Sequence, residues 1–393
     1  MNDARVSSAC VAAEIPGLAE AVTAAAGAAQ DVDRSSRFPI EAVDALKSAK
    51  LLSCSLPSSL GGRSAGIAEL SVIARALGAV CASAGMVFAM HHTQALTLAH
   101  HGRTGAIADL AARIAADESL LASATTEITT GGDVGRSSCA VVGDGDDVLL
   151  EKNAPIISYG EYADYICVTA RRCSDSPATD QVLLVCPAAD VTLEKTSTWD
   201  ALGFRGTASP GFLLKTRTSR KHLLDVDYAT ISSFTMLPTS HTLWASVWLG
   251  MADAALTKAH TATRSSVRKS GGQPVPQTAK LADLTVVHQT FEALVSREVD
   301  RYSAFLRDGD TEPTVGFTIA MNNLKIAASL AVVDVVAGAL QIVGIAGYRE
   351  DNPLSMGRLL RDSYAPQLMV SNDRIRANNA QLVLAHRGRG GSF

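Results

Sequence analysis

Aromatic residues are scarce, at 5% of 393, which leaves few rings for a base-stacking platform. Neither charge sign dominates: 35 Lys and Arg stand against 39 Asp and Glu, a net of −4. No global field therefore draws the chain to nucleic acid or to an anionic membrane. Charged residues reach only 19% while apolar ones reach 47%, the reverse of a disordered composition. The 7 cysteines (Cys10, Cys54, Cys81, Cys139, Cys167, Cys173, Cys186) contain no C-x-x-C pair and sit mostly in apolar runs. They predict reduced core thiols rather than a disulfide framework. The opening MNDARVSSAC lacks a basic stretch followed by an apolar run, so the expected location is cytoplasmic. The most apolar segment, 326–347, is interrupted by Asp334 and reads as a buried helix, not a membrane span. G-x-S-x-G is absent, and the G-x-G pieces follow no βαβ pattern; neither a serine-hydrolase elbow nor a nicotinamide-binding fold is expected.

The texture that is present changes twice. Up to residue 118 the apolar period is helical: Ile67, Leu70, Ile73, Leu77 and Val80 fall on one face. Pro39 suits the first turn of another helix running through Val43 and Leu46. From 119 to 228 the period shortens. AVVGDGDDVLLEK reads as a hairpin turning at 143–146, and ADYICVTAR, DQVLLVCP and GFLLKTRTS as strands. Consecutive strands without intervening helices predict an antiparallel barrel or sandwich. From 229 to 393 long helices return, expected near 241–265, 276–308, 314–346 and 365–387. The expected fold class is α+β, with three domains: 1–118 all-α, 119–228 a β-barrel, and 229–393 a four-helix bundle.

That order, with local strings, resembles the acyl-CoA dehydrogenase superfamily along nearly the whole chain. RFPIEAVDALKSAKLLSCSLPSSLGG is similar to the family's first helix and Gly-Gly loop. ATTEITTGGDVG (124–135) resembles its T-E-P-x-x-G-S-D loop, and APIISYGEYADYICV the segment along the flavin. WDALGFRGTASPGF (199–212) is similar to the l-G-x-R-g-T-x-S turn, and QIVGIAGYREDNPLSMGRLLRD to the Q-I-x-G-G-x-G-Y…R-D element.

The resemblance implies FAD held between the β domain and the last helices, in a homotetramer, with a homodimer as the smaller option. It carries cofactor contacts onto Thr126, Gly131, Gly132, Ile156, Ser158, Gln341, Gly344, Asn372 and Arg374. Glycine amides can approach phosphate closely, and a serine hydroxyl can serve both redox states of a flavin edge. From the residues alone, Gly131-Gly132 is equally a turn and Ser158 a strand serine. Arg205 reads best as a structural arginine tying the β domain to a helix.

The departures bear on the chemistry. The family's dehydrogenases take an α proton from an acyl thioester with a Glu while hydride leaves for flavin N5. That Glu lies nine residues after the Arg of the R-D pair, and here the position is Val370. The alternative base position falls on Ser240, beside His241. Three substitutes remain. Asp373 could act as base or simply cap a helix. His91 and His92 could handle protons near neutrality or be satisfied core residues. Their spacing from His100 and His101 puts nine-step pairs on opposite helix faces, so no metal site is expected. R-x-x-F-G is replaced at Arg264, and Ile345 interrupts the Gly-rich run after Gln341.

Three readings follow. The first is an acyl-thioester dehydrogenase acting on CoA or a carrier protein, passing electrons to an electron-transfer flavoprotein. The second is a flavin monooxygenase using O2 and reduced flavin, as FAD, FMN or a diffusible flavin supplied by a flavin reductase; it needs no α-proton base. The third is a scaffold without flavin.

Overall fold

The chain is described here by a computed structural model covering residues 14–130, 133–143, 145–309 and 312–386. Helices α1 (Leu18–Ser35), α2 (Ile40–Ser48), α3 (Ile67–Val80), α4 (Ala82–His101) and α5 (Gly105–Ala116) form the amino-terminal region. The apolar stripe of α3 is buried as its period predicts, and Pro39 caps α2. α4 differs: nearly all of it is buried, histidines included, because helices and strand β1 surround it.

Strands β1 (Leu121–Ala124), β2 (Asp147–Ala154), β3 (Tyr165–Arg171), β4 (Gln181–Pro187), β5 (Val191–Lys195) and β6 (Phe212–Ser219) follow. They make two three-stranded sheets, ordered β1-β3-β4 and β2-β6-β5. The middle β region is therefore present as expected, but the sheets do not close into a barrel among the described residues. β1 runs parallel to β3, from Leu121 opposite Tyr165 to Ala124 opposite Val168. The parallel pair arises because the long excursion through β2 intervenes between β1 and β3. β2 alternates exposed and buried residues, whereas β4 is buried throughout its interior. The first sheet is covered on both faces, one by the main core and the other by α5 and the 224–236 segment.

The carboxy-terminal region holds α6 (Leu237–Lys269), α7 (Pro276–Arg307), α8 (Val315–Val343), α9 (Gly357–Leu368) and α10 (Asn372–Ala385). α6 packs against α8 and α3, and Gly250 and Gly78 make the second contact possible. A Cβ on Gly250 would meet the Arg75 carbonyl at 2.0 Å, and one on Gly78 the Val247 carbonyl at 2.3 Å. α8 is long and apolar enough, by length and composition, to cross a membrane; in this fold it is a bundle helix. The single helix expected over 365–387 is instead two. Val370 takes φ +42, a left-handed value that a β-branched side chain resists, and the helix stops there.

Candidate functional site

Some of the strings that suggested a site meet in space. The loop after β1 lies along the end of β2: the Ile128 amide donates to Asn153 O at 3.2 Å, and the Thr126 hydroxyl faces Ile156 O at 3.5 Å. Ile156 is 46% exposed and Ile128 54%. Two apolar side chains thus stand in water beside the half-buried hydroxyls of Thr126 and Ser158. A flat ring with a polar edge would cover that surface, so these residues fit a flavin. Gly131 and Gly132 lie outside the described residues.

Ser158 begins a chain of hydroxyls. It accepts from the Ser209 hydroxyl at 2.9 Å, and Ser209 lies 2.9 Å from the Thr207 hydroxyl. Thr207 donates to Phe204 O at 2.9 Å, and the Phe204 amide donates to Asp362 at 2.6 Å. This path joins the SYG, GFRGTAS and RD strings. Burial pushes Asp362 up to about 6, even with that amide on its carboxylate. Arg205 donates to Asp33 O on α1 at 2.8 Å and to Asp200 at 2.9 Å, the structural tie expected of it. Arg361 reaches the Asp33 carboxylate at 2.5 Å. Tyr159, Phe204, Ala208 and Val370 all have positive φ, between 42 and 47. Such non-glycine strain gathers where surrounding structure imposes it, often at functional sites.

A buried ion pair lies beneath the same loop. Lys152 and Glu127 are 3.1 Å apart. Glu127 also accepts from the hydroxyls of Ser137 and Ser138, and from the Ser138 amide at 2.8 Å. Burial alone would raise the Glu127 pKa, but Lys152 and these donors outweigh it and hold it at about 2. The pair fixes the residue next to Thr126; Glu127 is the E of the T-E-P-like string, but nothing in the linear pattern marked Lys152 as its partner.

The acid–base candidates sit elsewhere. His91 is fully buried, bonding Leu52 O at 2.7 Å through Nε2 and accepting the Leu121 amide at 3.0 Å through Nδ1. His92 is equally buried, with Nε2 on Leu51 O at 2.9 Å and Nδ1 on the Ser55 hydroxyl at 2.9 Å. Burial holds His91 near 4 and drives His92 well below its ordinary value, so both are neutral braces for the 51–55 segment. Asp373 has a 90% exposed side chain and pairs with Arg376 at 3.1 Å. It lies in the exposed first turn of α10, beyond the break that separates α9 from α10. Ser240 donates to Leu237 O of its own helix at 2.9 Å. His241 bonds Met321 O at 3.1 Å, and burial lowers it to about 3.

The bundle-side cofactor candidates divide. Asn372 turns inward, accepting from the Lys325 ammonium at 2.7 Å and donating to the Ser329 hydroxyl at 3.0 Å, so its amide is committed inside the fold. Arg374, Gln341 and Gly344 are exposed. Gly344, at φ +70, ends α8, and Ile345 beyond it is 74% exposed. Val370 itself is 39% exposed. Lys325 escaped the sequence reading, although a single lysine amid the apolar residues of α8 was its visible signal.

Residues 18–118 match the acyl-CoA dehydrogenase N-terminal domain, and residues 235–375 match the C-terminal domain. The chain belongs to the acyl-CoA dehydrogenase family. Among curated members, cyclohex-1-ene-1-carbonyl-CoA dehydrogenase of Geobacter metallireducens is 25% identical, over 88% of this chain and 90% of that one. Butyryl-CoA dehydrogenase from Megasphaera elsdenii superposes with a TM-score of 0.81 at 20% identity, covering 98% of this chain and 100% of that one. FMN-bound TdsC from Paenibacillus sp. A11-2, a dibenzothiophene monooxygenase, superposes with a TM-score of 0.81 at 18% identity, covering 96% and 99%. Family membership makes the chain a flavin-dependent oxidoreductase of acyl-CoA dehydrogenase type. At these identities the two superpositions speak for the fold, which serves both chemistries.

Proposed function

We propose that this family member works with reduced flavin and dioxygen, as a monooxygenase, rather than by removing an α proton from an acyl thioester. One observation carries this reading. The base position holds Val370, and Asp373, Ser240, His241, His91 and His92 each face away or are already bonded. A carbon acid as weak as an acyl thioester needs a positioned base, and among the described residues none of these candidates is free to serve as one. Bound flavin, as FAD or FMN, supplies two-electron redox chemistry and, when reduced, reactivity toward dioxygen. The chain's own part is to hold the ring edge with Thr126 and Ser158 and to line the opposite wall with apolar Val370. A flavin reductase would be the electron source.

The second reading, acyl-thioester dehydrogenation with an electron-transfer flavoprotein as acceptor, is favoured by the names of the curated relatives. Anaerobic mixing separates the two. Flavin-loaded protein should keep its colour with acyl-CoA thioesters of several lengths, and should consume oxygen only when a flavin reductase is supplied. Bleaching by an acyl-CoA without added reductant would return the first place to the dehydrogenase. A colourless protein that takes up no flavin would favour the scaffold. We propose a homotetramer, which would cover the exposed apolar residues Val286, Ile345, Tyr348 and Leu384 of the carboxy-terminal region, and sedimentation would test the assembly.

A further inference from the structure

Lys325 projects from the middle of α8 and is fully buried. Among the described residues no carboxylate forms an ion pair with it. Its ammonium donates instead to Val370 O at 3.1 Å and to Asn372 Oδ1 at 2.7 Å. Asn372 is held in turn by Ser329, one helical turn along α8. Both acceptors belong to the break between α9 and α10, where Val370 is kept at φ +42. A buried ammonium is costly to keep, and a left-handed valine is strained. The two unfavourable features meet at one carbonyl, the most direct sign that one sustains the other.

We propose that Lys325 is a positioning residue: its ammonium locks the turn that presents Val370 to the reaction site. The proposal rests on the reading of Val370 as a wall of that site. Burial and the nearby Arg376 lower the lysine to about 8, and His241 on α6 also faces its charge. An ammonium is a stronger donor than a neutral amine, so its hydrogen bonds to Val370 O and Asn372 Oδ1 weaken as pH rises past about 8, even as the cost of burying the charge is relieved.

A double-mutant cycle tests it. Lys325→Met, Val370→Gly and the double variant are compared by hydrogen exchange over residues 366–375, without added ligand, and by turnover of the flavin-loaded protein. Lys325→Met should speed exchange of the bonded amides of Met369, Arg374 and Ile375 about tenfold while α6 and α7 stay protected. In the Val370→Gly background, where glycine adopts positive φ freely, the same substitution should have less than about a threefold effect. An effect of about threefold or more in the Val370→Gly background overturns the lock, because a merely structural lysine would not sense the strain at Val370. If Lys325→Met does not fold, Lys325→Gln takes its place in the same cycle: an exchange effect at least about threefold larger beside Val370 than in the Val370→Gly background supports the lock, and a smaller difference overturns it. Exchange needs no cofactor, so a coupled exchange result with unchanged turnover in Lys325→Met would leave the lock standing and count against Val370 as a wall of the site.

Discussion

On the middle-domain side of the site, Thr126 and Ser158 keep hydroxyls at the surface, backed by Ser209, Thr207 and the buried Glu127–Lys152 pair. On the bundle side, the residue in the base position is a strained valine, and the polar atoms around it, on Lys325 and Asn372, are turned inward. One side leaves hydroxyls facing outward. The other turns its polar atoms into the core and leaves an apolar side chain outside. The contrast teaches that candidate residues from different domains of one family pattern can differ in which polar groups stay available, because each domain satisfies its own donors and acceptors.

The largest effect should come from breaking the middle-domain side. Lys152→Met leaves Glu127 buried without its cation, and should lower unfolding free energy by about 3–5 kcal/mol in chemical denaturation. Close behind, His92→Phe strands the Leu51 carbonyl and the Ser55 hydroxyl and should cost about 2–4 kcal/mol. A variant that stayed fully stable but lost turnover would return His92 to the chemistry. The Glu127 pair also sets an acid limit. Its folded pKa is depressed to about 2 from an ordinary 4.5, so its contribution is full above 4.5 and fades as pH falls toward 2. Glu127→Gln should flatten that part of the stability–pH curve; an unchanged slope would place the acid sensitivity elsewhere.

Smaller effects sharpen the contrast. Ser158→Ala should weaken flavin binding about tenfold by titration, the worth of one hydrogen bond of about 1.4 kcal/mol at a redox edge. Asp373→Asn should change stability by less than about 0.5 kcal/mol and leave turnover alone, because its partner Arg376 is a surface contact. A large loss of activity there would bring an acid back to the bundle side.

Much of the fold was legible in the chain. The 3.6-residue period of 67–80 and the strand runs 165–171 and 181–187 depend on local apolar spacing, which side-chain geometry translates directly. The helix break at Val370 was only half legible: the capping option at Asp373 marked a helix start, but valine carries no turn signal, and a continuous helix over 365–387 was expected. The fate of the histidines was not legible. A His-His pair on a helix reads the same whether its nitrogens face a cavity or the carbonyls of Leu51 and Leu52.

By itself, the sequence determined the α–β–α order, the resemblance that singled out Thr126, Ile156 and Ser158, and the absence of a carboxylate at position 370. These are properties of local period and of residue identity. Only tertiary structure decided which polar groups remain available for chemistry. That depends on what each donor and acceptor meets across the core, and a buried group bonded to backbone is spent, whatever its intrinsic reactivity.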